Sequence, residues 1–333
     1  MPKFSVIIVA YGLEAPANRA LLQAAVRSLA GQSERDFEVL LVDNSETAGG
    51  LEALDLAGLP AVTVLPYGGN HGFAKGNNLA AAEARGEWVV LLNPDAVAER
   101  DWLAEIGAGI DRHPAAAMFA SLQVSLDDPE RLDGVGDAYF GLGFAWRGGF
   151  GRPVSEVPGE GACFSPCGAG AVYRRDAFQA AGGFDEAFFC FGEDTDLAYR
   201  LRLRGAYCVF LPGACIRHAG GGVSGRASAF SVTHGARNRI WGFVKATPPM
   251  LFWLTLPGHV GFTLLVLARG VMTGRFVPTL AGIWKGLAGV GPMIAQRRTL
   301  QAARTATSGD LAAAMAWNPL RLLQRKGDVR RLQ

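Results

Sequence analysis

The stretches FSVIIVA at residues 4–10, FEVLLV at 37–42 and EWVVLL at 87–92 decide the fold of this chain. Each is of strand length, is rich in β-branched or aromatic residues and contains an uninterrupted apolar run, at 6–10, 39–42 and 88–92. Apolar residues at helical spacing lie between them, at 19–30 and at 74–85. Strands that are apolar throughout and alternate with helices predict an α/β fold, in which a mostly parallel sheet has helices on both faces.

Polar residues follow three of these strands at their carboxyl ends. They are Tyr11 after the first strand, Asp43 and Asn44 after the second, and Asn93 and Asp95 after the third. Ligands of open parallel sheets bind outside this edge. The sequence therefore predicts that the functional site lies here.

The net charge of +2 is the sum of two unlike parts. Residues 1–240 carry 20 basic and 28 acidic side chains, whereas 241–333 carry 12 basic side chains and only Asp310 and Asp328 as acids. A basic tail favours an anionic partner. Because the basic residues of the body are balanced by acids, we expect no nucleic acid partner.

Composition excludes several classes of protein. Half of the 333 residues are hydrophobic and 19% are charged, so general disorder is excluded. The short apolar run near the N-terminus is a strand rather than a signal peptide. No Cys-x2-Cys pair indicates zinc, and reduced thiols in a cytosolic compartment are expected. The cysteines are Cys163, Cys167, Cys190, Cys208 and Cys215.

Residues 246–268 form a run of 23 residues without a formal charge, flanked by Lys245 and Arg269. Its length suffices to cross a hydrocarbon core of ~30 Å, but its prolines would break or kink a helix. A second apolar run, 276–296, carries Lys285 at its middle. We expect interfacial or shallowly inserted helices at an anionic membrane surface, the cytoplasmic face of the inner membrane. A spanning helix and a buried soluble bundle are the alternatives.

The middle of the chain is less regular. Residues 125–165, rich in Gly, Pro and Asp, predict a long irregular excursion over one edge of the site. Two short strands are expected at 207–211 and 214–218, before glycines at 220–225 that predict a mobile loop. No internal repeat is evident.

Residues 70–78, NHGFAKGNN, form a Gly- and Asn-rich loop that leads into a helix. Backbone amides at a helix start suit an anion, although turn and cap chemistry explains the composition equally well. Asp43 has the same two interpretations, since its carboxylate can accept hydrogen bonds from a nucleobase or ribose, or can close an Asx turn.

Asn93-Pro94-Asp95 lies just past a buried strand. One carboxylate at a Pro-stiffened turn suits a hard divalent cation whose other coordination sites are filled by phosphate oxygens. The alternative is an ordinary strand-ending turn. His218 ends a predicted strand, and it is either structural or a nitrogen ligand of the same cation, which would favour Mn²⁺ over Mg²⁺.

Three acids, Glu193, Asp194 and Asp196, open a predicted helix over 194–204. Acids at a helix start stabilise the helix dipole, but three are more than a cap needs. They follow the aromatic loop FFCFG at 188–192, which indicates a pocket wall. A carboxylate held at a helix start stays ionised and can act as a general base.

The sequence resembles family 2 glycosyltransferases of the GT-A fold, in particular the bacterial rhamnosyltransferase-like branch. Six motifs in order over about two-thirds of the chain carry the resemblance, while the last ~90 residues match only in being apolar and basic. No G-x-G-x-x-G follows the first strand and no P-loop occurs, so other nucleotide-binding motifs do not compete. The motifs are VIIVAYG at 6–12, LLVDNS at 40–45, NHGFAKGNN at 70–78, LLNPD at 91–95, AGGFDEAFFCFGEDTDLAYRLRLRG at 181–205 and IRHAGG at 216–221.

The resemblance implies a nucleotide-diphosphate-sugar donor and a divalent cation, Mn²⁺ or Mg²⁺, held by Asp95 and His218. Asp194 is then the general base, with Glu193 beside it as part of the catalytic pair. Asn93 stands where the usual Asp-x-Asp motif has its first acid, which removes one charge from the metal site. The donor-binding residues implied are Tyr11, Asp43, Asn44, Asn70, Gly72, Asn77 and Asn93.

The resemblance also implies an activity and a division of the chain. Residues 1–230 would be a GT-A catalytic domain and 231–333 a helical membrane-associated region. The expected reaction is inverting transfer of a sugar, with rhamnose as a candidate, to a hydroxyl of a cell-envelope glycan or polyprenyl-linked acceptor. A catalytically idle GT-A domain that serves as a membrane-bound scaffold is the alternative. Nucleotidyl transfer is disfavoured because no basic Gly-rich loop follows the first strand.

Overall fold

A ten-stranded sheet forms the centre of the protein in the computed structural model, which describes residues 1–46, 50–220 and 228–332. Two further strands, β8 and β9, form a separate hairpin. The strands in chain order are β1 (Phe4–Ala10), β2 (Phe37–Asp43), β3 (Val62–Pro66), β4 (Trp88–Leu91), β5 (Ala96–Ala98), β6 (Met118–Ser125), β7 (Leu132–Gly134), β8 (Asp137–Phe140), β9 (Phe144–Arg147), β10 (Gly161–Cys163), β11 (Ala171–Arg174) and β12 (Cys208–His218).

The sheet is mixed, with the order β10-β12-β6-β11-β4-β1-β2-β3 along its main path. β1 runs parallel to β2 and β4, β2 to β3, and β6 to β12. β11 lies antiparallel between β4 and β6, and β10 pairs antiparallel with β12. The predicted mostly parallel sheet is confirmed, and every antiparallel pair in it includes at least one strand from β6 onward.

Helices cover both faces of the sheet. Alternate residues of β1 point to opposite faces, so Val6 and Ile8 pack in one core with Leu22, while Ile7 and Val9 pack in a second core. The helices are α1 (Pro16–Ala30), α2 (Gly72–Glu83), α3 (Trp102–Arg112), α4 (Arg175–Ala180), α5 (Glu193–Leu203), α6 (Ala229–Ala246), α7 (Pro249–Met272), α8 (Phe276–Ala288), α9 (Val290–Ala302), α10 (Ser308–Ala314) and α11 (Pro319–Leu323).

The prediction that residues 125–165 are irregular was wrong, because β7, β8, β9 and β10 lie in this segment. These strands have only three or four residues each, too few to show a period in the sequence. The C-terminal residues return to this segment, where Ala316 bridges Phe140 and Arg330 bridges Ala162. The segment is therefore part of the folded body.

Two other predictions need correction at prolines. The expected strands 207–211 and 214–218 form one strand, β12, with a register shift between Leu211 and Cys215 in its pairing with β6. The Pro-Gly pair within it produces an irregularity rather than an end. The prolines of 246–268 likewise do not break α7, since Pro248 and Pro249 lie at its start, where proline is tolerated, and Pro257 is accommodated inside.

Within the described residues, α7 is the one helix that is long and apolar enough to cross a membrane, and 22% of its most apolar window is buried. One such helix is only a weak indication of a span. The low burial does not fit a helix buried in a soluble bundle. All five cysteines are free thiols, as expected.

Candidate active site

A cavity of about 910 Å³ lies at the predicted edge of the sheet, beyond the carboxyl ends of β1 and β4. Loops after the strands form one wall, and α6 and the hairpin β8–β9 form the other. The lining includes the polar residues Tyr11, Asn44, Asn70, Asn93, Asp95, Asp137, Arg147, Glu193, Asp194, His218, Asn238 and Arg239.

Two of the expected donor-binding residues lie behind the lining. Asp43 is buried, and its Oδ1 accepts a hydrogen bond from the Ser45 amide at 3.1 Å. This is the hydrogen bond of an Asx turn. Asn77 is buried in α2 and donates to the carbonyl of Phe73 at 2.8 Å. The cavity is lined by the other five, Tyr11, Asn44, Asn70, Gly72 and Asn93. The donor-binding roles of all seven stay predictions.

The expected loop at 70–78 is helical from Gly72 onward, because α2 begins there, and side chains fix the turn that precedes it. Asn44 Oδ1 accepts from the His71 amide at 2.8 Å, and Asn70 Oδ1 accepts from the Gly72 amide at 3.0 Å. Gly72 has φ +74°, and a Cβ there would meet the Phe189 carbonyl oxygen at 2.6 Å. Glycine is required because the backbone is left-handed and Phe189 approaches closely.

Asp95 and His218 lie together in the cavity, and both are buried. Asp95 Oδ1 is 3.2 Å from His218 Nε2, and Asn93 Nδ2 is also 3.2 Å from that nitrogen. Strand pairing of His218 with Ala96 brings the two sequence motifs together. Two ligand atoms bound at about 2.1 Å to one cation lie about 3 Å apart, so this pair fits a divalent cation.

His218 has a second carboxylate on its other ring nitrogen. Nδ1 lies 2.7 Å from Asp133 Oδ2, and Asp133 is buried in β7. Burial lowers the pKa of His218, but hydrogen bonds to Asp133 and Asp95 outweigh it and raise that pKa. An Nδ1–H donated to Asp133 leaves Nε2 available as a ligand atom.

Arg147 shares the same carboxylate. Its Nη1 lies 2.6 Å from Asp133 Oδ2. Burial opposes the charge of Arg147, but Cys167, Asp133 and the other nearby acids raise its pKa. Sequence reasoning missed Asp133 and Arg147 because both lie in the segment that had no visible period.

Asp194 is held by backbone amides at the start of α5. Its Oδ2 accepts from the Gly168 amide at 2.9 Å and its Oδ1 from the Thr195 amide at 2.7 Å. Glu193 beside it is buried, and burial together with the Asp194 charge raises its pKa well above the usual value. Burial therefore disfavours the charged form of Glu193 beside Asp194.

The third acid of the triplet has a structural partner. Asp196 forms ion pairs with Arg200 Nε at 2.8 Å and with Lys245 Nζ at 2.7 Å. Lys245 is fully buried and also lies 2.6 Å from Asp185. The extra acid therefore ties α5 to α6.

The aromatic loop before α5 has an unusual backbone. Phe189 and Phe191 have φ of +64° and +71°, a conformation that costs roughly 1–3 kcal/mol for such residues. The side chain of Asn238 donates to the carbonyls of Phe188, Cys190 and Phe191 at 2.8–3.0 Å. Asn238 lies in α6, which begins at Ala229 and crosses the expected boundary at 230. That boundary stays a prediction, and nothing in the sequence singled out Asn238.

The sequence profile of the family described as "Glycosyl transferase family 2" matches residues 5–182, more than half of the chain. The protein belongs to glycosyl transferase family 2. The expected family and transferase activity are confirmed.

Two bacterial proteins are similar to this family 2 glycosyltransferase. It is 29% identical over 231 residues to the N-acetylglucosaminyl-diphospho-decaprenol L-rhamnosyltransferase of Mycobacterium tuberculosis, covering 62% of this chain and 75% of that protein. It is 32% identical over 196 residues to the O-antigen biosynthesis protein RfbC of Myxococcus xanthus, covering 56% of this chain and 15% of that protein. The resemblance to the rhamnosyltransferase-like branch is thus confirmed.

Solved structures show the GT-A fold. The mannosyltransferase PcManGT of Pyrobaculum calidifontis, in complex with GDP-Man and Mn²⁺, matches with a TM-score of 0.55 and 20% identity over 97% of this chain and 87% of that chain. S. aureus TarS 1–349 in complex with UDP-GlcNAc matches with a TM-score of 0.52 and 18% identity, covering 95% of this chain and 93% of that chain.

This family 2 glycosyltransferase has a second group of potential metal ligands. Ligand atoms of Asp137, Cys167 and Asp194 lie within 4.8 Å of one another. Burial and the Asp194 charge raise the pKa of Asp137, and burial raises the pKa of Cys167 to about 12. Burial disfavours the charged, ligating forms of this acid and this thiol, whereas Asp95 Oδ1 and His218 Nε2 already lie at the separation of two ligands of one cation. The predicted glycine loop at 220–225 lies outside the described residues from Gly221 onward.

Proposed function

We propose that the protein transfers a sugar, with rhamnose as the first candidate, from a nucleotide-diphosphate donor to a hydroxyl of a polyprenyl-linked or cell-envelope glycan, inverting the anomeric configuration. One observation carries the proposal. Asp194 lines the same cavity as Asp95 and His218, and two backbone amides orient its carboxylate.

The donor nucleotide is assigned to the wall formed by the strand ends. Asp43 and Asn77 would act from behind this wall, through the turn after β2 and through α2. M. tuberculosis rhamnosyltransferase and TarS, by their names and ligands, support a nucleotide-sugar donor and a lipid-linked acceptor. The proposed contacts come from Tyr11, Asn44, Asn70, Gly72 and Asn93.

Asp194 is the proposed general base. It accepts the proton of the acceptor hydroxyl while that oxygen attacks the anomeric carbon and the diphosphate departs. A single displacement of this kind inverts the configuration. Burial raises the pKa of Glu193, which makes Glu193 less suited than Asp194 to stand as a charged carboxylate in the cavity.

Asp95 and His218 are the proposed ligands of a divalent cation, Mn²⁺ or Mg²⁺. When bound, the cation supplies positive charge that stabilises the departing diphosphate. The Mn²⁺ complex of the structurally similar PcManGT supports this assignment. Asn93 adds no charge, so the chain offers one carboxylate and one imidazole.

We propose further that residues 231–333 associate with the anionic cytoplasmic face of the inner membrane, and that 1–230 form the catalytic domain. Large apolar side chains of α7 and α8 are exposed, which supports shallow insertion. Basic residues of the same region would contact acidic headgroups. The exposed apolar residues include Met250, Trp253, Leu264, Leu265, Val277, Leu280, Trp284 and Leu287.

Donor turnover tests the reaction. Purified protein with Mn²⁺ is supplied with a panel of dTDP-, UDP- and GDP-sugars, with and without a lipid-linked acceptor, and nucleoside diphosphate release is measured. We expect turnover of at least one donor, loss of it in Asp194→Asn, and normal turnover in Asp127→Asn, which changes an exposed acid in the same way. Turnover by Asp194→Asn would exclude this base. Donor binding with no turnover of any sugar would favour the idle scaffold.

A further inference from the structure

Arg239 is a cavity-lining cation without an acidic partner among the described residues. Its Nη2 donates a long hydrogen bond of 3.3 Å to Thr263 Oγ1, and its guanidinium carbon lies 4.3 Å from the Phe144 ring. Its Nε is buried and has no hydrogen-bond partner within the described part of the chain. Neither 47–49 nor 221–227 contains Asp or Glu.

The other buried cations of this region are compensated. Arg147, also in the cavity lining, is paired with Asp133, and Lys245 has Asp185 and Asp196. Burial lowers the pKa of Arg239 to about 10, so the side chain remains charged at neutral pH. A desolvated cation without a counter-ion is costly, and it is usually found where an anion binds.

The chemistry of the anion follows from the side chain. A guanidinium presents several N–H donors in a plane and binds phosphate oxygens in pairs. Nε and the Nη groups that do not face Thr263 would be free for such contacts. A phosphate or diphosphate therefore fits the site better than a single carboxylate.

The position of Arg239 distinguishes two sources of a diphosphate. The donor's diphosphate is assigned to the strand-end wall with Asp95 and His218. Arg239 instead lies on α6 against Thr263 of α7, and Leu264 and Leu265, next in sequence, are exposed. An anion at Arg239 thus lies between the polar cavity and an apolar helix surface.

We propose that Arg239 binds the diphosphate of a polyprenyl-diphosphate-linked acceptor, with the acceptor sugar in the cavity that contains Asp194 and the hydrocarbon chain along α7. The proposal rests on the proposed function and names the acceptor subsite. The aromatic ring of Phe144 supports the guanidinium from one side through a cation–π contact.

Binding without turnover tests this subsite. The full chain in detergent is titrated calorimetrically with farnesyl diphosphate, farnesol, UDP and dTDP, the nucleotides in the presence of Mn²⁺. We expect Arg239→Gln to weaken farnesyl diphosphate binding by about 10- to 100-fold while nucleoside diphosphate binding changes less than about twofold. Arg298→Gln, which removes an exposed arginine of α9, should match the unaltered protein.

A chemical measurement covers the case in which Arg239→Gln folds poorly. Phenylglyoxal labels accessible arginines, and the labelled positions are mapped by mass spectrometry in the unaltered protein. Farnesyl diphosphate should protect Arg239, whereas UDP with Mn²⁺ and farnesol should not. Arg239→Lys keeps the charge and should retain part of the affinity.

Three results would overturn the proposal. Farnesyl diphosphate could fail to bind the unaltered protein, or Arg239→Gln could bind it with unchanged affinity. In the third, Arg239→Gln loses as much affinity for UDP and dTDP as for farnesyl diphosphate. The last would assign Arg239 to the donor. Each can occur while the donor turnover assay and Asp194→Asn behave as proposed, so failure of the subsite and failure of the function are distinguishable.

Discussion

Asp133 Oδ2 lies 2.7 Å from His218 Nδ1, on the side of the imidazole opposite Asp95. The same oxygen lies 2.6 Å from Arg147 Nη1. One buried carboxylate therefore fixes both the ring of a proposed metal ligand and a cavity-lining arginine. Carboxylates behind a ligating histidine orient it and increase its basicity.

Asp133→Asn should weaken the cation site without removing a ligand. The amide oxygen can still accept from Nδ1, but the charge is lost, and we expect Mn²⁺ affinity to fall by about 10- to 100-fold. Direct Mn²⁺ binding, followed by electron paramagnetic resonance, is the measurement. Asp127→Asn is the matched control. Unchanged Mn²⁺ binding would leave Asp133 with a purely structural role.

His218→Ala should change the preference between metals. An imidazole ligand favours Mn²⁺ over Mg²⁺, so its removal should raise the Mn²⁺ concentration for half-maximal activity more than the Mg²⁺ concentration. Metal titrations of donor turnover give both values. Asp95→Asn, which removes the carboxylate, should raise the concentrations of both Mn²⁺ and Mg²⁺ needed for half-maximal activity. An unchanged Mn²⁺ titration in His218→Ala would remove this residue from the site.

Asn238→Ala should loosen the aromatic loop. The substitution removes the side-chain amide that donates to three carbonyls of the strained segment. Since each hydrogen bond contributes about 1 kcal/mol, the free energy of unfolding should fall by roughly 2–3 kcal/mol. Urea denaturation measures this, and the turnover number should fall because the loop adjoins Glu193. Asn318→Ala, which removes one helix cap, should cost only about 1 kcal/mol. Equal losses in the two variants would argue against the role of Asn238.

Lys245→Met should destabilise the protein strongly. It leaves Asp185 and Asp196 without their shared cation, and breaking a buried pair in this way costs about 3–5 kcal/mol. Lys326→Met, at an exposed position, should have little effect on the urea midpoint. If the two variants were equally stable, Lys245 would not hold α6 to α5.

The same ion pair predicts an acid dependence of stability. Burial raises the pKa of Asp185, but the attraction of Lys245 together with hydrogen bonds from Lys245 and the Ala187 amide outweighs it, so that pKa lies below the ordinary 3.8. The ion pair therefore stabilises the folded protein fully at pH values above the ordinary pKa of an aspartate. This stabilisation is lost as the pH falls through the lowered pKa that Asp185 has in the folded protein. Urea midpoints of the unaltered protein between pH 5 and about 3 should fall more steeply than those of Lys245→Met.

The sequence predicted the parallel strands at the start of the chain, β1, β2 and β4, which lie in the buried centre of the sheet. These strands are buried on both faces, so most of their residues are apolar, and the polar residues of the site follow directly at their carboxyl ends. Asp95, Asp194 and His218 were found in this way. Asp95 follows β4, Asp194 lies in the first turn of α5 and His218 ends β12, so each lies at the end or start of a regular element that has its own signal.

The site residues that the sequence did not predict have no such signal. Asp133 and Arg147 lie in three- and four-residue strands whose pairing depends on distant parts of the chain. Asn238 and Arg239 lie on a helix that faces the cavity only because α6 packs against α5 and α8. Their roles depend on which tertiary partner each side chain meets, and periodicity carries no information on that.

Exposed tryptophans of the C-terminal helices should enter an anionic lipid surface. Trp253 and Trp284 are 71% and 70% exposed, so their fluorescence should shift to the blue when the protein binds vesicles containing phosphatidylglycerol. Because Lys and Arg near the surface supply part of the attraction, about 0.5 M salt should release much of the bound protein. Replacing both tryptophans by serine should weaken vesicle binding, whereas Trp317→Ser, on a different segment, should not. Release by detergent alone, never by salt, would instead favour a helix that spans the membrane at α7.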